Sequence, residues 1–243
     1  MKKGFYLFIL PLILAASASC KHQFVKGTGA SATETRNVQQ FTAVLVEAPI
    51  NAIITVDEHL AANAVQITGY SNLLPLVKTE IKGNKLRVYT DEGVHFDTDK
   101  DIEVKISMAA ISSLEITGAG EALVAGNVKS DKFDLDITGA GNVTIDNINS
   151  NTFIADLSGA GSLTVKNGMV DRAVYDVTGA GEVTSFPLKA KHVEANVTGA
   201  GDVEVHATDK LNADITGVGS ISYKGHPAIT QNVTGAGNIE DAN

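Results

Sequence analysis

Seven residues recur at one place in the sequence, immediately before a five-residue motif: Glu115, Asp136, Asp156, Asp176, Asn196, Asp214 and Asn232. Five are carboxylates, and on one outward strand face they would stand about 4.8 Å apart. Such a strip could hold cations or accept hydrogen bonds from sugar hydroxyls. A pair of carboxylates separated by roughly 5 to 10 Å is also what glycoside hydrolysis requires. A catalytic pair, however, is singular and set in a groove that shifts its pKa values, whereas this one is offered again at every repeat. A solvated strand face accounts for the column more simply, with Asn196 and Asn232 interrupting the repulsion between like charges. The neighbouring column, Thr117, Thr138, Ser158, Thr178, Thr198, Thr216 and Thr234, is a hydroxyl ladder of the kind that stabilises paired strands.

The remaining chemistry-bearing residues form no constellation. The repeated Gly-X-Gly lacks the third glycine and the following helix that a phosphate loop needs. The six histidines are scattered without metal-ligand spacing, and Cys20 is the only cysteine. Asp97-Thr98-Asp99-Lys100-Asp101 alternates carboxylates like part of a calcium loop, but without that loop's glycine and distal glutamate it reads as a polar turn. No catalytic residue, metal site or cofactor is therefore expected.

The elements that carry the columns are strands. The motif I/V/L-T/S-G-A/V-G begins at Ile116, Ile137, Leu157, Val177, Val197, Ile215 and Val233, in steps of 21, 20, 20, 20, 18 and 18 residues. So regular a period marks coils that cannot bury their apolar side alone and stack on one another. Around each glycine pair the apolar pattern has period two. Phe133, Leu135, Ile137, Val143 and Ile145 are expected to point inward, and Asp134, Asp136, Thr138, Asn142 and Thr144 outward. The small Ala119, Ala140, Ala160, Ala180, Ala200, Val218 and Ala236 are expected to pile up at the Gly-X-Gly corner and to exclude bulk. The fold class that follows is all-β, a right-handed parallel β-helix (β-solenoid) with about 18–21 residues per three-sided turn.

The rest of the chain divides by composition. Lys2 and Lys3, the apolar run Phe5–Ala16 and the small residues Ser17–Ser19 read as an export signal over residues 1–19. Cys20 follows directly and is the expected site of acylation, which makes a membrane the expected partner. Residues 20–36 then read as a flexible tether. Residues 37–112 alternate as strands, for example Phe41–Val46, Leu86–Tyr89 and Ile102–Ile106, with turns at Gly83-Asn84 and Asp91-Glu92-Gly93. Residues 113–243 hold the seven repeats.

Several of these segments together resemble the family of putative auto-transporter adhesins with a head GIN domain. They are Asn37–Val44, Val65–Pro75, Leu86-Arg87-Val88 and the serial TGAG turns, spanning roughly residues 37–237. The resemblance implies a right-handed β-helix and a surface or adhesion role, and it transfers no catalytic residues. The net charge of −9, with no basic cluster beyond the first residues, argues against nucleic acid as a partner. The expected function is that of a non-enzymatic envelope lipoprotein binding a glycan or protein surface. The alternative is a carbohydrate-active β-helix protein that binds or cleaves polysaccharide, an expectation carried only by what β-helices often host. Lys21-His22-Gln23 carries no acidic residue, which favours the periplasmic side of the outer membrane over the cell surface.

Overall fold

The computed structural model describes residues 23–243. The segment expected to be an export signal, residues 1–19, and Cys20 lie outside the described residues. The first strands in chain order are β1 (Gln23–Lys26), β2 (Ser31–Arg36), β3 (Ala43–Glu47), β4 (Asn51–Val56), β5 (Ala64–Tyr70) and β6 (Lys78–Lys82). They are followed by β7 (Lys85–Tyr89), β8 (Val94–Asp97), β9 (Glu103–Met108), β10 (Ser113–Gly118), β11 (Glu121–Gly139), β12 (Asn142–Gly159) and β13 (Ser162–Val165). The last are β14 (Gly168–Gly179), β15 (Glu182–Gly199), β16 (Asp202–Gly217), β17 (Ser220–Lys224), β18 (Ala228–Gly235) and β19 (Asn238–Asp241). A single 3₁₀ turn, Leu74–Leu76, is the only helical element among them.

These strands build the parallel β-helix that the repeat demands. Its first side runs β7, β3, β10, then the second halves of β11, β12, β14, β15 and β16, and finally β18, every neighbour parallel. Its second side runs β9, β4, the first halves of β11 and β12, then β13, the first halves of β15 and β16, β17 and β19. A shorter third side is formed by segments such as Asn127–Ser130 on Asn147–Ser150. The fall in repeat length from 20 to 18 is absorbed in two register shifts: Thr184 faces Glu204, Lys189 already faces His206, and one residue is regained before His192 faces Lys210.

Side-chain parity follows the sequence. Phe133, Leu135, Ile137, Val143 and Ile145 are all buried, and the outward partners between them are not. Large and small residues complement one another along the inward columns. Phe133 and Phe153 stack at 5.8 Å between centroids, and Phe153 meets Tyr175 edge-on at 5.9 Å. Tyr175 is flanked in its column by Ala155 and Ala195, which leave room for its ring.

The motif glycines close each corner in two ways. Gly159 has φ +124°, and a Cβ there would lie 2.2 Å from the carbonyl oxygen of Gly139 one coil earlier. Gly161 is buried, and a Cβ there would lie 2.6 Å from the Gly141 oxygen and 2.8 Å from Ile137. The residue between them behaves differently from the sequence expectation. Ala140, Ala160, Ala180 and Ala200 are exposed, and Val218 is 65% exposed, so the middle position faces solvent and admits bulk.

Two further expectations change. Residues 23–36 are not a free tether: β1 pairs in parallel with β8, and β2 pairs antiparallel with β5. The polar segment Ser31–Arg36 forms a strand because β5 supplies the ladder, and because Arg36 donates hydrogen bonds to the carbonyls of Leu74 (3.2 Å) and Val77 (3.3 Å) and to Glu34 (3.1 Å). Nor does the coil start at residue 113. β3 with β4 forms a layer directly below β10 with β11, and β7 with β9 forms the layer below that. Chain order and spatial order differ here, because 57–84 leaves the stack to build antiparallel strands. β5 pairs with β9 and β6 with β7, and with the buried Leu73, Leu74 and Val77 they close this end of the coil.

Candidate functional site

The parallel register brings the outward columns together on the first side. Glu115 faces Asp136, Asp136 faces Asp156, Asp156 faces Asp176, Asp176 faces Asn196, Asn196 faces Asp214, and Asp214 faces Asn232. The threonine column lies beside it in the same register. At one end of the carboxylate column Lys85 forms an ion pair with Glu115, and further along the Asn196 side-chain amide donates to Asp176 at 2.6 Å. No lysine or arginine pairs with Asp136, Asp156 or Asp176 among the described residues. Burial, followed by the charges of Asp176 and Asp136, holds the Asp156 carboxyl above its ordinary pKa. This is the behaviour of like charges stacked on a strand face, with Lys132–Asp134 (2.6 Å) and Arg172–Glu194 (2.5 Å) pairing beside them. Among the described residues no cluster of three or more His, Cys, Asp or Glu side chains could hold a metal ion.

The second side carries a feature that periodicity alone passes over. From β12 onward its central outward column is Thr144, Thr164, Thr184, Glu204 and Ser222, but toward the capped end the same column holds Leu123 and Ile53. The column next to it holds Glu103, Asn51, Glu121 and Asn142. Together with Thr144 and Lys166 these residues line a groove of about 530 Å³. Lys166 is held by Asp146 at 2.9 Å. The groove therefore offers two apolar side chains inside a rim of carboxylates, amides, a hydroxyl and an ammonium. A signal for it exists in the sequence: the consecutive apolar pairs Ile53-Ile54 and Leu123-Val124 break the strict alternation and force one member outward.

Residues 40–227 match the family described as "putative auto-transporter adhesin, head GIN domain". The chain belongs to that family. Solved structures of adhesin-family relatives share its fold. A putative adhesin from Bacteroides fragilis is 25% identical, with a TM-score of 0.84 over 89% of this chain and 99% of its own. One from Parabacteroides distasonis is 25% identical with a TM-score of 0.75, covering 90% of this chain and all of its own. A second P. distasonis protein, described as a putative lipid binding protein, is also 25% identical, with a TM-score of 0.68 over 91% of this chain and all of its own. Comparison with curated proteins gives no match. The adhesin-family coil thus supports a binding role, and no helix among its described residues is long and apolar enough to cross a membrane.

Proposed function

We propose that this adhesin-family chain is a non-enzymatic binding protein of the cell envelope, anchored by acylation of Cys20, that engages polysaccharide in the groove on its second side. The observation that carries the reading is the break in the outward column, where Ile53 and Leu123 replace the threonines of the later coils. Sugars present polar edges and apolar C–H faces. Glu103, Glu121, Asn51 and Asn142 can hydrogen-bond the hydroxyls, while Ile53 and Leu123 offer a surface to the ring. The stacked carboxylates of the first side serve this function as a solvated, charged flank that keeps a long sheet from pairing with its neighbours. An anchor of several acyl chains, at ~0.8 kcal/mol per buried methylene, would hold the chain at a membrane surface.

The test is a polysaccharide array probed with the parent and with Ile53→Asp/Leu123→Asp. Both positions face outward, so the double variant should fold and lose binding. Retention of every parental signal by the variant would remove the groove from the function. Anchoring is tested separately by metabolic labelling with an alkyne fatty acid, where Cys20→Ser should abolish the label. Protease treatment of intact cells reports the side of the membrane.

A further inference from the structure

The two ends of the coil are built differently. The first layer is closed by antiparallel strands, whereas among the described residues β18 pairs only with β16 and β19 only with β17. β18 is an uncharged, β-prone strand, Ala-Ile-Thr-Gln-Asn-Val-Thr-Gly, without the lysine, proline or bulge that usually blunts a sheet edge. Ile229 and Val233 stand above the buried Leu211 and Ile215, yet they are 39% and 41% exposed.

We infer that β18 is a self-association strand that pairs antiparallel with β18 of a second copy of this chain, about a dyad at Gln231. Three observations select this partner and register. In the parallel ladder alternate residues bond backward. Ala236 N–H donates to the Gly217 carbonyl (2.9 Å), so by alternation Thr230, Asn232 and Thr234 also face β16. Ile229, Gln231 and Val233 therefore turn their N–H and C=O groups to the open edge, where a dyad at Gln231 makes all three into hydrogen-bonded pairs. The same dyad sets Ile229 opposite the second copy's Val233 on the inward face, so the interior of one coil continues into the other. Finally, the other open strand, β19, carries Glu240 and Asp241, whose charges would oppose each other if two such edges met.

The inference stands without the polysaccharide reading. Combined with the proposed anchor at Cys20, it also fixes how two chains would meet. The first side is nine strands deep from β7 to β18, about 38 Å at ~4.8 Å per layer, and β1 lies at the capped end. A pair joined through β18 holds its two capped ends roughly 80 Å apart, so anchored chains meet tip to tip.

The test uses the full chain with Cys20→Ser, which leaves any introduced thiol unique. In the proposed register Thr230 of one copy lies opposite Asn232 of the other, a non-hydrogen-bonded pair about 4.5 Å apart between Cα atoms and within disulfide reach. Mixing Thr230→Cys with Asn232→Cys protein under mild oxidation should give a disulfide-linked dimer severalfold more abundant than either variant alone. Sedimentation should show the parent dimerising and Gln231→Pro, which removes an edge donor without touching the β16 ladder, remaining a monomer. The inference is overturned if the mixture crosslinks no better than the single variants, or if the parent and Gln231→Pro sediment alike.

Discussion

Replacing Gly159 by alanine tests the corner on which every coil depends. The residue sits at φ +124°, a backbone region that side chains avoid at a cost of about 1–3 kcal/mol. The added methyl would also lie 2.2 Å from the carbonyl oxygen of Gly139 and 3.0 Å from its carbon. Backbone cannot step aside as a side chain can, so relief requires prising two coils apart where the ladder holds them. Overpacking of this kind typically costs a further 1–3 kcal/mol or so. A total of about 2–6 kcal/mol is large against the roughly 5–15 kcal/mol that keeps most domains folded. For a domain of this size it corresponds to a fall in Tm of roughly 4–24 °C. The control is Ala160→Val one residue along, at the exposed position where Val218 already stands, with an expected change within about 0.5 kcal/mol. Urea unfolding followed by circular dichroism measures both. The reasoning fails if Gly159→Ala unfolds with the parent, or if Ala160→Val costs as much.

Tyr175→Ala should destabilise by about 3–5 kcal/mol in the same assay, because the ring is fully buried and the residues flanking it in its column, Ala155 and Ala195, are too small to fill its space. Asp156→Asn should stabilise the protein at neutral pH by roughly 0.2–1 kcal/mol, the scale of a like-charge cross-strand pair. The sign follows from the raised pKa. The folded state holds this proton to higher pH than the unfolded state, so the parent loses stability as pH climbs from the ordinary carboxylate value, about 3.9, through the raised one, and is level above it. The variant's advantage should therefore vanish near pH 3 and be complete at pH 7. An advantage that grows on acidification would contradict the stacked-carboxylate account.

What the sequence could reveal depended on whether the signal was local. The inward column through Phe133, Leu135 and Ile137 is written in strict alternation, and the Gly-X-Gly corners recur at fixed spacing, so both were legible residue by residue. The ladder from Glu115 to Asn232 followed at once, because parallel coils of equal length place equivalent residues side by side. Residues 23–36 were misread because Ser31–Arg36 has no apolar alternation: its place is set by β5 and by the carbonyls of Leu74 and Val77, 38 to 41 residues away from Arg36. The early layers were obscured for a related reason. Nothing local in Ala43–Glu47 says that it lies between Lys85–Tyr89 and Ser113–Gly118. The middle corner residue was misassigned because small size suits both a crowded site and an indifferent one, and only Val218 distinguished them. The groove needed both faces of two separate strands, Ile53 on β4 and Leu123 on β11, to be placed in adjacent layers before their shared exposure had meaning.

The most direct measurement for the binding account is a polysaccharide array read alongside reducing-sugar release, with the parent, Ile53→Asp/Leu123→Asp and Asp156→Asn/Asp176→Asn compared under identical conditions. The account predicts parental binding without release of sugar ends, loss of binding in the groove variant, and full retention in the ladder variant. Release of reducing ends by the parent that disappears in Asp156→Asn/Asp176→Asn would contradict it, and would make the carboxylate ladder an active site.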